Sequence, residues 1–297
     1  MNLPSPGKRF VIGVPYAWLI VFFFLPFLIL AYISFVDMGN DLSPFKPLWD
    51  PVTGVLSLKY ENYLSIFRME EGAPLFQTLY VEAYLRSIWY ALCTAVLCLI
   101  LGYPFAYFIA RSPASVRPAL LLMVMLPFWT SFLLRVYAWK GLLADQGVIN
   151  RFMMGLGITS EPIPMLYTDV SMLVGMTYVY LPFMVLPLYA NLVKMDFRLL
   201  EAARDLGATP WQAFWRISLP LLMPGILSGA MMAFIISMDD FVITYFVAGA
   251  GSTTLPIYIF SSIRMGISPK INAISSIMLV ISILFVALSY YLGQRKR

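Results

Sequence analysis

The chain has 297 residues, 61% of them hydrophobic and 12% charged, with a formal net charge of +5. Soluble domains run near roughly 45–50% apolar and about 25% charged, so this composition excludes an ordinary globular protein and points to the membrane. The absence of histidine removes the commonest metal ligand and the commonest general base. No basic stripe alternates with aromatics in a polar segment, so nucleic acid is not an expected partner.

Lys8 and Arg9 precede an apolar stretch from about Phe10 to Ile33. It is too long for the apolar core of a cleaved signal peptide and no small-x-small site follows, so it reads as an uncleaved anchor and first span. Crossing the hydrocarbon takes about twenty apolar residues. Six segments qualify: near 10–33, 84–110, 119–139, 170–192, 221–242 and 273–292. Cys93 and Cys98 fall in the second; five helical residues separate them by about 7.5 Å, too far for an unstrained disulfide. Gly102, Ala106 and Ala110 there, and Gly225, Gly229 and Ala233 in the fifth, recur every fourth residue. Small residues at that spacing let helices approach closely, within this chain before any dimer contact. Pro104, Pro127, Pro182, Pro187 and Pro224 lie in or beside spans, where neighbouring helices can satisfy the freed carbonyls.

Basic residues set the orientation. With the amino terminus inside, the cytoplasmic segments hold Lys8, Arg9, Arg111, Arg117, Lys194, Arg198, Arg204, Arg216, Arg295, Lys296 and Arg297, which is 11 of the 20. Both termini are therefore expected in the cytoplasm. Segments 111–118 and 193–220 lie there too, whereas 34–83, 140–169 and 243–272 lie outside.

The segment 193–220 is longer than a connection between spans needs. Asp196 is placed to cap a helix carrying Leu199, Leu200, Ala203 and Leu206 on one face. Gly207 then stands where a helix end takes a left-handed residue. Thr209 as N-cap, Pro210 as first helical residue and Gln212 three after the cap predict a second helix with a capping box. Pro220 is expected to end it and open the fifth span. Trp211, Phe214 and Trp215 supply apolar bulk. The alternative is an amphipathic hairpin lying in the headgroup region.

The spacing Glu201-Ala202-Ala203, three residues, Gly207, nine residues, Ile217-Ser218-Leu219-Pro220 resembles the cytoplasmic loop by which ABC importer permeases engage their ATPase. Gly-Tyr-Pro-Phe-Ala at 102–106, Leu-Pro-Phe-Trp-Thr-Ser at 126–131 with Leu-Leu-Arg-Val-Tyr-Ala-Trp at 133–139, and Leu-Pro-Phe-Met-Val-Leu-Pro-Leu-Tyr at 181–189 are similar to the first permease of the spermidine/putrescine ABC importers. Ser-Met-Asp-Asp-Phe-Val-Ile at 237–243, Thr-Thr-Leu-Pro at 253–256 and Phe-Ser-Ser-Ile-Arg-Met-Gly at 260–266 look more like the second, so the chain departs from either pattern taken whole.

The resemblance implies an all-α integral membrane protein of six spans in the type I importer arrangement. Residues 1–297 would form one permease domain, with a core over 84–292, and the first helix would embrace a partner. It implies a second permease (a distinct chain or a copy of this one), two copies of an ATP-binding subunit, a soluble substrate-binding protein and a bacterial inner-membrane setting. ATPase coupling would fall to Glu201, Ala202, Ala203, Gly207, Thr209, Trp211, Ile217, Leu219 and Pro220. Glu201 would meet a basic residue of the ATPase, Gly207 would make the turn, and the next helix would dock in its cleft. No GxxxxGK[ST] occurs, so nucleotide binding belongs to another chain and no cofactor is expected. No nucleophile–base set exists, so the chain is not expected to be an enzyme.

Polycations ask for carboxylates and aromatic faces. Asp239, Asp240, Trp129, Tyr137, Trp139, Tyr178 and Tyr180 are the candidates for the pathway, against the routine placing of Trp and Tyr at membrane interfaces. On straight helices Arg135 and Asp239 would lie about 24 and 27 Å from the starts of their spans. A structural Arg135–Asp pair is therefore the alternative. Another small solute, such as sulfate, iron or an osmolyte, is the runner-up cargo, and an ATPase-independent secondary transporter is the rival class.

Overall fold

The structure is a computed structural model, described here for residues 6–39, 45–49, 57–67, 79–249, 251–265 and 269–294. Residues 266 and 295–297, part of the sequence reading above, lie outside them. The described residues form helices and no named strand; Met38 and Phe45 make one isolated bridge.

In chain order, α1 (Pro6–Leu19) runs through a π-helical turn (Ile20–Phe24) into α2 (Leu25–Ser34), and α3 (Glu61–Phe67) follows. Next come α4 (Leu79–Arg111), α5 (Arg117–Met125) with a 3₁₀ turn (Leu126–Trp129), α6 (Phe132–Leu143), α7 (Val148–Gly155) and α8 (Asp169–Leu192). Then α9 (Arg198–Asp205), α10 (Pro210–Ala213), a second π turn (Phe214–Ser218), α11 (Leu219–Met238), α12 (Val242–Val247), α13 (Leu255–Met265) and α14 (Pro269–Gln294) complete the chain.

Among the described residues, five continuous helical runs are long and apolar enough to span a membrane: Val11–Ser34, Val81–Arg111, Asp169–Leu192, Pro210–Met238 and Pro269–Leu288. The expected third span, 119–139, is corrected. It is not one helix: Arg117–Trp129 and Phe132–Gly155 meet at a break with an 88° bend. Pro127 tightens the end of α5 into a 3₁₀ turn, and Thr130 turns extended at ψ 150°. Ser131 follows at ψ 136°. Hydropathy summed over a window does not register such a turn. Pro220 is a second correction, since it ends nothing. α10 continues through the π turn into α11, where Leu219 N–H reaches the carbonyl of Phe214, five residues back. A proline directly after that register change costs no hydrogen bond that the wider turn had not already displaced. Pro26 repeats the device, following Leu25 N–H bonded to the Ile20 carbonyl. The helix that carries the fifth span consequently runs unbroken from Pro210 to Met238, leaving Asp239 and Asp240 beyond it.

The described residues divide into two compact units, one drawn from Met1–Glu82 and Ile259–Ile281, the other from Ala83–Tyr258 and Ser282–Arg297. In the first, Asn62 Nδ2 donates to the carbonyls of Ser34 and Val36, 2.9 Å each, closing the end of α2. Hydroxyls of Ser34, Tyr63 and Ser276 form a chain at 2.7 and 3.0 Å. Lys59 pairs with Asp37 at 2.8 Å and, by its hydrogen bond, holds that carboxyl below the usual carboxylate range.

The second unit is organised by α8. Met172, Met176, Tyr180, Met184, Leu188 and Leu192, each four residues from the next, form one buried stripe, as a helix period requires. α11 packs along α8 through its small residues. A Cβ on Gly229 would lie 2.8 Å from Met184 Sδ and 3.1 Å from the Met184 carbonyl oxygen, and one on Gly225 would lie 2.7 Å from Asn191 Nδ2. The expected intramolecular use of this stripe is what the structure has. Ala106, Ala110 and Ala233 are buried as well. Both cysteines are free.

Candidate functional site

Two groups of residues carry the functional reading. The first is the knuckle between α8 and α11. Asp196 Oδ1 accepts from Arg198 N–H at 3.0 Å, starting α9. Its end is closed by two backbone bonds of 2.9 Å, Ala208 N–H to the Ala203 carbonyl and Gly207 N–H to the Arg204 carbonyl. That 6→1 and 5→2 pair needs a left-handed residue at Gly207, whose φ is +84°. Two residues later Thr209 Oγ1 accepts from Gln212 N–H at 3.3 Å while Gln212 Oε1 accepts from Thr209 N–H at 3.0 Å. The sequence signals for the turn and the capping box therefore read correctly.

The knuckle stands on an aromatic pedestal that the sequence did not disclose. Phe214 meets Tyr103 edge-on at 5.4 Å and Phe197 meets Tyr107 at 6.1 Å. The Arg111 guanidinium lies over Phe197 at 5.2 Å and over Tyr107 at 6.0 Å. Tyr103 and Tyr107 are one turn apart on α4, so the pedestal is i,i+4 geometry meeting a loop ninety residues away; only the fold reveals it. A cleft of about 180 Å³ lies between α4 and the knuckle, lined by Tyr103, Tyr107, Leu200, Arg204 and Phe214 among others.

Above this base the apolar bulk faces outward. Leu206 is 89% exposed and Trp211 68%, and Glu201, Ala202, Gly207, Thr209 and Pro220 are exposed too. Ala203, Ile217 and Leu219 are half-buried and support the exposed row. Solvent-facing Leu and Trp beside a carboxylate make a surface suited to receiving another protein.

The second group is the set of aromatic residues on α6, just before it and on α8, with the two aspartates that follow α11. Asp239 is exposed, whereas Asp240 is only 7% exposed. Asp240 Oδ1 accepts from the N–H groups of Ile243 (2.9 Å) and Thr244 (3.2 Å), capping α12, and its Oδ2 accepts from the Tyr180 hydroxyl. Arg135 does not pair with either aspartate, which corrects the ion-pair alternative. It is 8% exposed and its guanidinium lies between the rings of Phe128 (5.2 Å) and Phe132 (5.3 Å), with Nε and Nη1 lacking a hydrogen-bond partner. The bend before Phe132 delivers it there, so its depth cannot be counted along a straight helix.

Trp139 and Tyr178 stack edge-on at 5.4 Å, joining α6 to α8. Tyr137 lies 5.4 Å from Phe246 of α12. Trp129 is 76% exposed. Among the described residues no group of three or more metal-ligating side chains comes together.

The two carboxylates should separate by stability. Asp240→Asn removes one oxygen from a buried set that caps a helix and holds a tyrosine, and is expected to cost about 1–3 kcal/mol. Asp239→Asn, exposed, should stay within about 0.5 kcal/mol. Thermal unfolding of the detergent-purified protein measures the difference.

Comparison with known proteins agrees along the chain. The family model described as binding-protein-dependent transport system inner membrane component matches residues 8–297. The spermidine/putrescine transport system permease protein PotB of Salmonella typhimurium (strain SL1344) is 38% identical over 250 residues, 84% of this chain and 80% of that protein. PotB of Escherichia coli (strain K12) is 39% identical over 233 residues, 78% of each. The putrescine transport system permease protein PotI of Escherichia coli (strain K12) is 51% identical over a shorter 90 residues, 30% of this chain and 32% of that one. Among solved structures, a bacterial ABC transporter involved in the import of the acidic polysaccharide alginate superposes with a TM-score of 0.67, covering 97% of this chain and 96% of that chain. At 17% identity that likeness speaks for the fold alone. With its apolar helices, its knuckle and a match over nearly its whole length, the chain belongs to the binding-protein-dependent transport system inner membrane components, a family of multi-pass transport subunits.

Proposed function

We propose that this chain is the permease subunit of an ATP-driven importer of polyamines, and that it couples to a separate ATP-binding chain through residues 201–220. The observation that carries the reading is the knuckle. Two helices are locked by a left-handed glycine and a capping box, braced on α4, and turn Glu201, Leu206 and Trp211 outward. A stiff bracket of this kind transmits displacement, where a flexible loop would absorb it. Glu201 meets a basic residue of the ATP-binding chain, Ala202 and Ala203 allow close approach, and Gly207 sets the angle. Thr209 and Trp211 begin the docking helix, while Ile217, Leu219 and Pro220 carry its motion into α11.

The remaining machinery follows from that role. Residues 1–297 act as one permease domain, with 84–292 as its core. A second permease completes the pathway, two ATP-binding subunits drive it, and a soluble binding protein delivers cargo. The identity with PotB over most of both chains supports polyamine as the cargo class. Asp239, exposed beyond the end of α11, supplies negative charge to the pathway, and Trp129, Tyr137, Trp139 and Tyr178 supply aromatic faces. Tyr180 orients Asp240. Asp239→Asn should raise the KM for spermidine uptake at unchanged protein level, with partial recovery in Asp239→Glu.

One observation favours the runner-up cargo. A buried guanidinium with two unpartnered nitrogens suits an anion such as sulfate better than a polycation. Parallel uptake assays with labelled spermidine and labelled sulfate separate the two.

Both termini and the knuckle are cytoplasmic in this reading. Gln212→Cys in a background lacking Cys93 and Cys98 should resist an impermeant thiol reagent added to intact cells and react in inverted vesicles. Labelling from outside contradicts the orientation. Affinity purification from native membranes should bring down an ATP-binding protein and a permease chain, and recovery of this chain alone counts against the assembly.

A further inference from the structure

Lys140, three residues after Tyr137 on α6, places its ammonium over three rings at once. Nζ lies 5.9 Å from the centroid of Tyr137, 5.6 Å from Tyr167 and 5.9 Å from Phe246. Each distance is within the roughly 6 Å at which a cation is attracted to an aromatic face. The rings come from three separate places: α6, the loop before α8, and α12. Among the described residues Lys140 makes no ion pair with a carboxylate, so the aromatic faces are its counterpart.

The enclosure carries backbone strain. Tyr167 has φ +62°, the one non-glycine residue with positive φ among those described. A tyrosine held in the left-handed region persists only where its surroundings require it, and such residues gather at ligand clamps. Gly249 is part of the requirement. A Cβ there would lie 2.3 Å from the Tyr167 carbonyl oxygen, so only glycine lets the loop after α12 close on this tyrosine. Tyr137 and Tyr167 are also exposed on the surface of this chain. Primary and quaternary ammonium groups are what an aromatic enclosure recognises.

We propose that Tyr137, Tyr167 and Phe246 form a binding subsite for an alkylammonium head, with Lys140 as a resident cation that the incoming ligand displaces. The subsite rests on the proposed import of cationic amines. In the orientation given above it lies at the outer ends of its helices, where cargo arrives. The tethered ammonium keeps the rings assembled when no ligand is present and competes with the ligand for them. Affinity is therefore set by the difference between the two cations.

The test uses the complete transporter in two arms. In uptake of labelled putrescine, Lys140→Met should lower KM about threefold or more by removing the competitor. Replacing Phe246 with fluorinated phenylalanines should raise KM stepwise with fluorine content, because fluorine drains the ring face while preserving its size. A merely structural ring would not follow that order. Unchanged KM in Lys140→Met together with no trend on fluorination overturns the subsite while leaving polyamine import intact.

The second arm does not depend on the cargo. Acylation of Lys140 by an amine-directed reagent, read by mass spectrometry, should rise severalfold on adding tetramethylammonium chloride and not with sodium chloride at equal ionic strength. A transporter that imports no polyamine but shows this rise loses the cargo reading and keeps the subsite. Equal acylation in the two salts refutes displacement.

Discussion

Gly207→Val is expected to abolish ATP-driven uptake while the chain still inserts and folds. The position is exposed, and a Cβ there would meet nothing within 4 Å, so the effect is conformational and not steric crowding. At φ +84° an L-residue pays about 1–2 kcal/mol, and a β-branched one is a genuine outlier. The turn relieves that strain by leaving the left-handed region, which breaks the closing bonds from Ala208 and Gly207 and swings α10 away from α9. The long spans do not depend on the turn, so expression and detergent stability should stay near those of the parent. Gly207→Asn is the matched control, because asparagine visits the left-handed region far more readily. Asparagine retaining most transport while valine loses it identifies backbone geometry as the cause. Equal loss in both would assign the effect to the missing glycine surface, and normal uptake in the valine variant would remove Gly207 from the coupling account.

Gly229→Ala is expected to destabilise the protein by forcing α8 and α11 apart. The new Cβ would lie 2.8 Å from Met184 Sδ, which can turn away, but also 3.1 Å from the Met184 carbonyl oxygen and 3.2 Å from its Cα. Backbone inside a helix cannot step aside alone, so α8 and α11 must separate along their shared length. Overpacking of that kind costs about 1–3 kcal/mol. Within a bilayer the lost close packing is not replaced by any hydrophobic gain, since lipid is as apolar as the residues exposed. The apparent Tm in detergent should fall by several degrees, with uptake falling alongside it. Gly225→Ala meets Asn191 at 2.7 Å from Nδ2 and 3.0 Å from Cβ, and should lower stability as well. Gly155→Ala has open space around it and should be harmless. A Gly229→Ala protein as stable as the parent would mean the two helices are not held at the separation described.

These outcomes also show which features could be read in the residues. The knuckle was legible because its signals are local: Gly207 after an apolar-periodic run, then Thr209, Pro210 and Gln212 at capping spacing, each acting within one helical turn. The small-residue stripe of α11 was legible for the same reason. The bend after Trp129 was not, because an apolar window reports composition and stays silent on a 3₁₀ turn followed by two extended residues. The run from α10 into α11 is not legible, because Pro220 signals a helix stop whereas a preceding π turn makes a proline tolerable. Charge logic offers Arg135 an acidic partner as one alternative, yet the bend puts it against Phe128 and Phe132. Asp240 and Tyr180 are sixty residues apart, and no periodicity links them. Long-range pairing is the part of the site that spacing cannot convey.

In this role the chain turns ATP hydrolysis by another subunit into cation import. The most direct measurement is uptake of labelled spermidine into proteoliposomes holding the chain with its copurified partners and the binding protein, with ATP supplied on the knuckle side. Accumulation should require hydrolysable ATP and binding protein and be lost in Gly207→Val, although the ATP-binding subunit stays in the complex. Spermidine accumulation driven by an ion gradient without ATP, or ATP-driven uptake undiminished in Gly207→Val, would contradict it.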